Sequence, residues 1–200
     1  VIHALGNENP ACRDLAPALR VGVNLNESVA GTNGPGCALA EGRPSVVCGS
    51  EHFLDEARVF ACAAVPVRDP YGELVAVLDA SRRHGGHRIG ILEPVALAVR
   101  AIENRMMRRI GGELRLAIHY RPELTDSPMR GLLHFDGDGC LLGANPVARQ
   151  MLDLPMGEGG GRLCFETLFE GSMERVWTAG NTPVALSCHG GLQLFCRLEG

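Results

Sequence analysis

The residues able to do chemistry in this chain concentrate in its first half. Glu51-His52-Phe53 follows a predicted strand edge. An imidazole there can donate to a ligand, sense pH near neutrality, or satisfy nearby backbone groups. Cys48, His52 and Cys62 together invite a thiol-redox reading. A reactive thiol needs a depressed pKa and exposure. Cys62 instead stands in the apolar run Phe60-Ala61-Cys62-Ala63-Ala64, which argues for burial. Gly31-Thr32-Asn33-Gly34-Pro35-Gly36 has the glycine density of a phosphate loop. It lacks the Gly-Lys-Ser/Thr ending and follows no clear βαβ strand. Thr32 or Asn33 capping the next helix is the simpler account. His84-Gly85-Gly86-His87 offers two imidazoles but no third ligand near in sequence, so a solvent loop is expected rather than a metal site. His134 and His189 have no supporting haem pattern, and no cysteine stands in a flavin motif. No cofactor and no metal are expected.

Composition removes further classes of function. All 19 basic residues are arginine. The lysine of a phosphate-binding loop is therefore missing, and so is any Schiff base to pyridoxal phosphate. The formal charge is −4 and aromatic residues are 4%, so neither a basic field nor a stacking platform for nucleic acid is offered. Eight cysteines include no Cys-x-x-Cys pair, which argues against a zinc ribbon or a thioredoxin-type site. Buried thiols in a reducing cytosol are the expectation. No signal-peptide pattern or apolar run near 18 residues is found, so a cytoplasmic protein without a membrane segment is expected.

These side chains need elements to hold them. Residues 1–20 read as a short strand, the turn Gly6-Asn7-Glu8-Asn9-Pro10 and a short helix. Residues 22–36 read as a glycine-rich loop, and Cys37–Glu41 as a helical turn closed by Gly42. Ser45–Cys48, Val59–Val67 and Glu73–Ala80 read as strands, the last two an antiparallel hairpin about Asp69-Pro70-Tyr71-Gly72. Ile89, Leu92, Val95, Ala96, Val99, Ile102 and Met106 recur at steps of three and four, which predicts a helix over 89–109. Its arginine-rich end suits a helix C-terminus, and it reads as a solvated face or a dimer seam rather than as a contact to DNA. Glu113–Pro128 reads as a connection. Two strands around Asp136-Gly137-Asp138-Gly139 follow, then a helix with Asn145 as N-cap and Pro146 at its first position. Gly157–Gly161 reads as a loop, Phe165–Phe169 as a short helix, and Val184–His189 with Leu192–Leu198 as a final hairpin.

A longer pattern runs through the first half. Asn26-Glu27, Gly31-Thr32-Asn33, Glu41-Gly42-Arg43-Pro44 and Glu51-His52-Phe53 are followed by Cys62 to Asp69, Gly72, Leu78-Asp79-Ala80-Ser81 and Ile102-Glu103-Asn104. In order and spacing this resembles the GAF domain of acetoin-catabolism and dihydroxyacetone-operon regulators, a group of sigma-54-dependent activators. Tyr120-Arg121-Pro122-Glu123, Gly131-Leu132-Leu133, Asp138-Gly139, Asn145 and Phe165–Phe169 resemble the PAS domain that follows in the same regulators. The chain departs from the family at Gly34-Pro35-Gly36-Cys37, where members usually read Ala-Ile-Gly-Thr, and at Asn26, where an aromatic residue often stands.

The resemblance implies an α+β chain: a GAF sensor domain over 1–106, a helical linker over 107–127 and a PAS domain over 128–200. It implies a sensor rather than an enzyme. Its motif positions nominate Glu27, Thr32, Asn33, His52, Phe53, Cys62 and Asp79 as pocket lining. The effector is either a small molecule or a dihydroxyacetone-kinase-type protein subunit, and the interdomain helix is expected to pack in a homodimer. DNA contact would belong to AAA+ and helix-turn-helix domains absent from this chain. Two other classes compete: a thiol-based protein resembling sulfoxide reductases, and a purely structural dimerisation module.

Overall fold

The computed structural model describes residues 20–84, 90–157 and 163–199. The strand and helix expected in 1–20, His87 of the expected imidazole pair and most of the 157–161 loop lie outside these residues. The chain divides into two compact units. One holds the residues up to Val67 with Ala76–Val99, the other Arg68–Val75 with Arg100 onwards.

In the first unit, the stretch 22–36 expected to be loop contains the helix α1 (Glu27–Ala30) and the first turn of α2 (Gly34–Glu41), whose second half is the expected turn Cys37–Glu41. Both start on asparagines whose side chains accept from backbone N–H groups, Asn26 from Ser28 and Asn33 from Gly36. Glycine and proline hid the first turn of α2 from a propensity reading, yet proline is well placed there. Gly42, at φ 63°, closes α2 in the left-handed conformation. Strand β1 (Ser45–Cys48) pairs antiparallel with β2 (Phe60–Arg68), and β3 (Leu74–Arg83) lies on the other side of β2. The middle position of β2 explains its unbroken apolar run: residues 60–67 are all buried. Helix α3 (Leu92–Met107) follows, with its residues up to Val99 in this unit and those from Arg100 in the second, and is shorter at both ends than expected.

The second unit is a six-stranded antiparallel sheet in the order β6-β5-β4-β9-β8-β7. Its strands are β4 (Leu114–His119), β5 (Gly131–Phe135), β6 (Leu141–Ala144), β7 (Phe169–Glu170), β8 (Val184–Cys188) and β9 (Gln193–Leu198). Between them come helices α4 (Pro146–Met151), α5 (Phe165–Leu168) and α6 (Met173–Ala179). Strand β4 corrects the reading of 113–128 as a connection, because it is a central strand of the sheet. Its Leu114, Leu116 and Ile118 enter the main core with Leu133, Phe135, Phe165, Val176 and Leu194. Ala117 faces the other side, where it packs with Leu132 and Met107. A strand covered on both faces loses the clean alternation that would have announced it.

Candidate functional site

A small cavity of about 80 Å³ opens in the first unit. One water needs roughly 10–15 Å³, so the space holds several waters or a ligand of a few heavy atoms. Its walls come from α1, α2, the turn after β1, and strands β2 and β3. Leu25, Ala30, Pro35, Leu54 and Ala57 supply apolar lining; Thr32, Asn33, His52, Cys62, Asp79 and Ser81 also border the cavity, whose exposed wall is nearly all apolar. Gly34 lets α2 press on the strands: a Cβ there would stand 3.0 Å from Cys62 Cβ and 3.1 Å from Asp79 Oδ1.

The polar side chains are mostly bound to one another. His52 is buried, with Nδ1 3.1 Å from the Gly49 carbonyl and Nε2 3.3 Å from Cys62 Sγ. A carbonyl only accepts, so a neutral ring carries its proton on Nδ1 and Nε2 accepts from the Cys62 thiol. Ser81 Oγ lies 2.8 Å from Asp79 Oδ2 and 3.1 Å from Cys62 Sγ. Its single proton serves the carboxylate when Asp79 is ionised and can turn to sulfur when it is not. Asn33 donates to the carbonyls of Leu25 and Gly31 and accepts from Gly36. Asp79 Oδ1 is the exception: it is buried and has no hydrogen-bond partner among the described residues.

Burial pushes the Asp79 carboxyl up to about 6, with the Ser81 hydroxyl pulling the other way. Burial, and then the charge of Asp79, push the Cys62 thiol up to about 12. A thiol held protonated in this way is a hydrogen-bond donor and a poor nucleophile, which weighs against a sulfoxide-reductase chemistry at Cys62.

Five of the seven nominated residues therefore line one cavity: Thr32, Asn33, His52, Cys62 and Asp79. Glu27 and Phe53 do not. Glu27 is exposed and accepts from the Thr32 hydroxyl at 3.4 Å and from the Cys37 thiol at 3.6 Å, bracing α1 against α2. The Phe53 side chain is exposed, while its backbone N–H donates to the Thr32 carbonyl. Ser81 was overlooked, although it stands two residues after Asp79 on one strand and so shares its face. No group of three or more His, Cys, Asp or Glu side chains able to hold a metal occurs among the described residues. None of the described helices is long and apolar enough to cross a membrane.

Residues 13–85 match the family described as MimR, N-terminal domain. The chain belongs with the N-terminal sensory regions of the sigma-54-dependent activators of this type. Among its relatives, the acetoin catabolism regulatory protein of Cupriavidus necator is 33% identical over 165 residues, 78% of this chain and 25% of that protein. The propane 2-monooxygenase operon transcriptional activator MimR of Mycolicibacterium goodii is 45% identical over 137 residues, 66% of this chain and 22% of that protein. The chain thus spans about a quarter of the length of such relatives. Among solved structures, the crystal structure of the E. coli DhaR(N)–DhaL complex aligns with 96% of this chain and 73% of its own, at 14% identity and a TM-score of 0.47.

Proposed function

We propose that this chain is the signal-receiving part of a transcription activator and that the cavity of its first unit takes a small uncharged effector. In this reading the first unit is GAF-type, the second is PAS-type, and neither performs catalysis. The reading rests chiefly on the unpartnered Asp79 Oδ1 beside a cavity whose other polar groups are engaged. A buried acceptor without a partner costs about 1–3 kcal/mol, which a ligand's donor can recover. The carboxylate also disfavours an anionic ligand, and no arginine among the described residues lines the cavity to offset it. The effector acts on transcription by favouring one of two arrangements of the chain, which requires different affinities for the two. The output passes to AAA+ and helix-turn-helix domains outside this sequence.

Native mass spectrometry of the purified chain, followed by calorimetric titration with small neutral alcohols, ketones and size-matched carboxylates, tests this reading. Neutral compounds are expected to bind, and the carboxylates at least about tenfold more weakly. An Asp79→Ala chain that binds every compound unchanged would remove the site. Val29, Phe53 and Leu54 are large apolar side chains exposed in the same unit, and they favour a second reading. They would form a docking face for a protein partner such as a dihydroxyacetone-kinase-type subunit. In that case Phe53→Ser abolishes partner binding while Asp79→Ala leaves it intact. Pairing of α3 in a homodimer is part of the proposal, and light scattering that finds a monomer at high concentration overturns that part.

A further inference from the structure

The second unit carries a cysteine pair unconnected with the cavity. Cys140 ends the turn after β5 and Cys164 precedes α5, and the two are partners in an isolated antiparallel bridge. The backbone bonds Leu141 N–H to Leu163 C=O and Phe165 N–H to Gly139 C=O, both 2.8 Å, flank them on either side. The cysteines themselves exchange no backbone bonds. They therefore form a non-hydrogen-bonded pair, in which opposed Cα atoms are about 4.5 Å apart and the side chains are closest. The sulfurs stand 3.2 Å apart. A disulfide tolerates Cα separations of about 4.4–6.8 Å, so closure needs only a sulfur shift of roughly 1 Å and no strand movement. Cys140 is buried and Cys164 is partly exposed, so an oxidant reaches Cys164 first.

We propose that Cys140 and Cys164 are a redox-responsive pair that closes to a disulfide on exposure to a peroxide. The Cys164 thiolate attacks one peroxide oxygen, the O–O bond breaks, and a sulfenic acid and water result. The Cys140 sulfur then attacks the sulfenic sulfur, forming the S–S bond. The hydroxyl leaves as water with the thiol proton. Two thiols lose two electrons to one peroxide, which becomes two waters. The bond ties the Asp136–Gly139 turn to the start of α5. There Phe165 packs edge-on against Phe135, ring centroids 5.7 Å apart, so oxidation stiffens one wall of the core.

The test treats the full chain with stoichiometric hydrogen peroxide, traps remaining thiols by alkylation and maps the peptides by mass spectrometry. The expected product is a Cys140–Cys164 linked peptide, lighter by two hydrogens and released by dithiothreitol. It should form at least about tenfold faster than modification of Cys62 or Cys196, whose thiols burial pushes up to about 12. In a C140S chain, dimedone should trap a sulfenic acid on Cys164. The wild-type kinetics stand alone should that variant fold poorly. Oxidation of other cysteines while Cys140 and Cys164 stay alkylatable, or linkage of either to a different cysteine, overturns the proposal.

Discussion

Each unit starts a helix on an asparagine that also ties down distant backbone, and the two asparagines end in different circumstances. Asn145 caps α4 by accepting from Ala148 N–H and also accepts from Leu132 N–H. Its amide donates to Asn104 Oδ1 and to the Arg130 carbonyl, so every hydrogen-bonding position is used in a buried setting. Arg149, one turn on, is likewise buried and donates to the carbonyls of Ala144, Pro155 and Pro70. Asn33 does the same work for α2, but it is only partly buried and lines a cavity whose neighbouring Asp79 keeps one oxygen unmatched. A saturated buried network fixes structure, whereas an incomplete one leaves free energy for a ligand or a proton to supply. The Asn145 cluster is therefore architectural, and the Asp79 cluster fits the receptive role proposed for it.

The largest expected effect breaks the saturated side. Asn145→Ala removes a cap, worth about 1 kcal/mol, and strands the buried Leu132 N–H, worth about 1–3 kcal/mol more. A loss of about 2–4 kcal/mol in the second unit is expected from urea unfolding. A loss under about 1 kcal/mol would show that water substitutes for the side chain and that the cluster is not sealed.

Next comes the pH dependence of Asp79. Its folded carboxyl titrates near 6, against 3.8 as the ordinary value. Because the folded value is raised, the protonated form is the one that folding favours. The contribution is fully present below pH about 4 and is lost as pH rises through 6. Between pH 4 and pH 7.5 the wild type should lose about 2–3 kcal/mol relative to Asp79→Asn, which does not titrate. Urea midpoints of both chains at pH 4.5, 6 and 7.5 measure this. Parallel curves would mean that Asp79 is hydrated and the cavity is not the receptive element.

Much of the frame was legible because it is local. The Asp-Pro-Tyr-Gly hairpin, the Asp-Gly-Asp-Gly hairpin and the Asn145-Pro146 helix start are each written within a few residues. Strand β4 was not, because burial on both faces blurs the alternation of Leu114, Leu116 and Ile118 around Ala117. Helix α2 was legible only in its second half, as the turn Cys37–Glu41 closed by Gly42, because Gly34, Pro35 and Gly36 have poor helix propensity that the Asn33 cap and packing on β1 and β2 override. For the site, motif positions nominated residues that share the cavity. What joins them, Ser81 between Asp79 and Cys62, is a contact between strands 19 residues apart. The Cys140–Cys164 pair is hidden for the same reason: 24 residues separate cysteines that only the fold opposes.

A smaller effect sharpens the comparison between the two caps. Asn33→Ala should cost about 1–2 kcal/mol, less than Asn145→Ala, since its stranded partners lie nearer solvent. Unlike the Asn145 change, it should weaken ligand binding at the cavity in a titration of the same chain. Equal stability losses for the two variants would erase the distinction drawn between the units.

The smallest effect isolates one hydroxyl. Ser81 donates to Asp79 Oδ2 and opposes the upward push of burial on that carboxyl. Ser81→Ala removes the donor, so the ionised carboxylate suffers and the protonated acid hardly does. The loss should be about 1 kcal/mol at pH 7.5 and a few tenths at pH 4.5, from the usual worth of such a bond. At the lower pH the remaining loss reports only the contact with Cys62 Sγ and the missing oxygen. Equal losses at both pH values would mean that Ser81 acts through packing alone. The carboxylate's incomplete pairing would then no longer support the proposal that this cavity, rather than the saturated Asn145 cluster, receives a ligand.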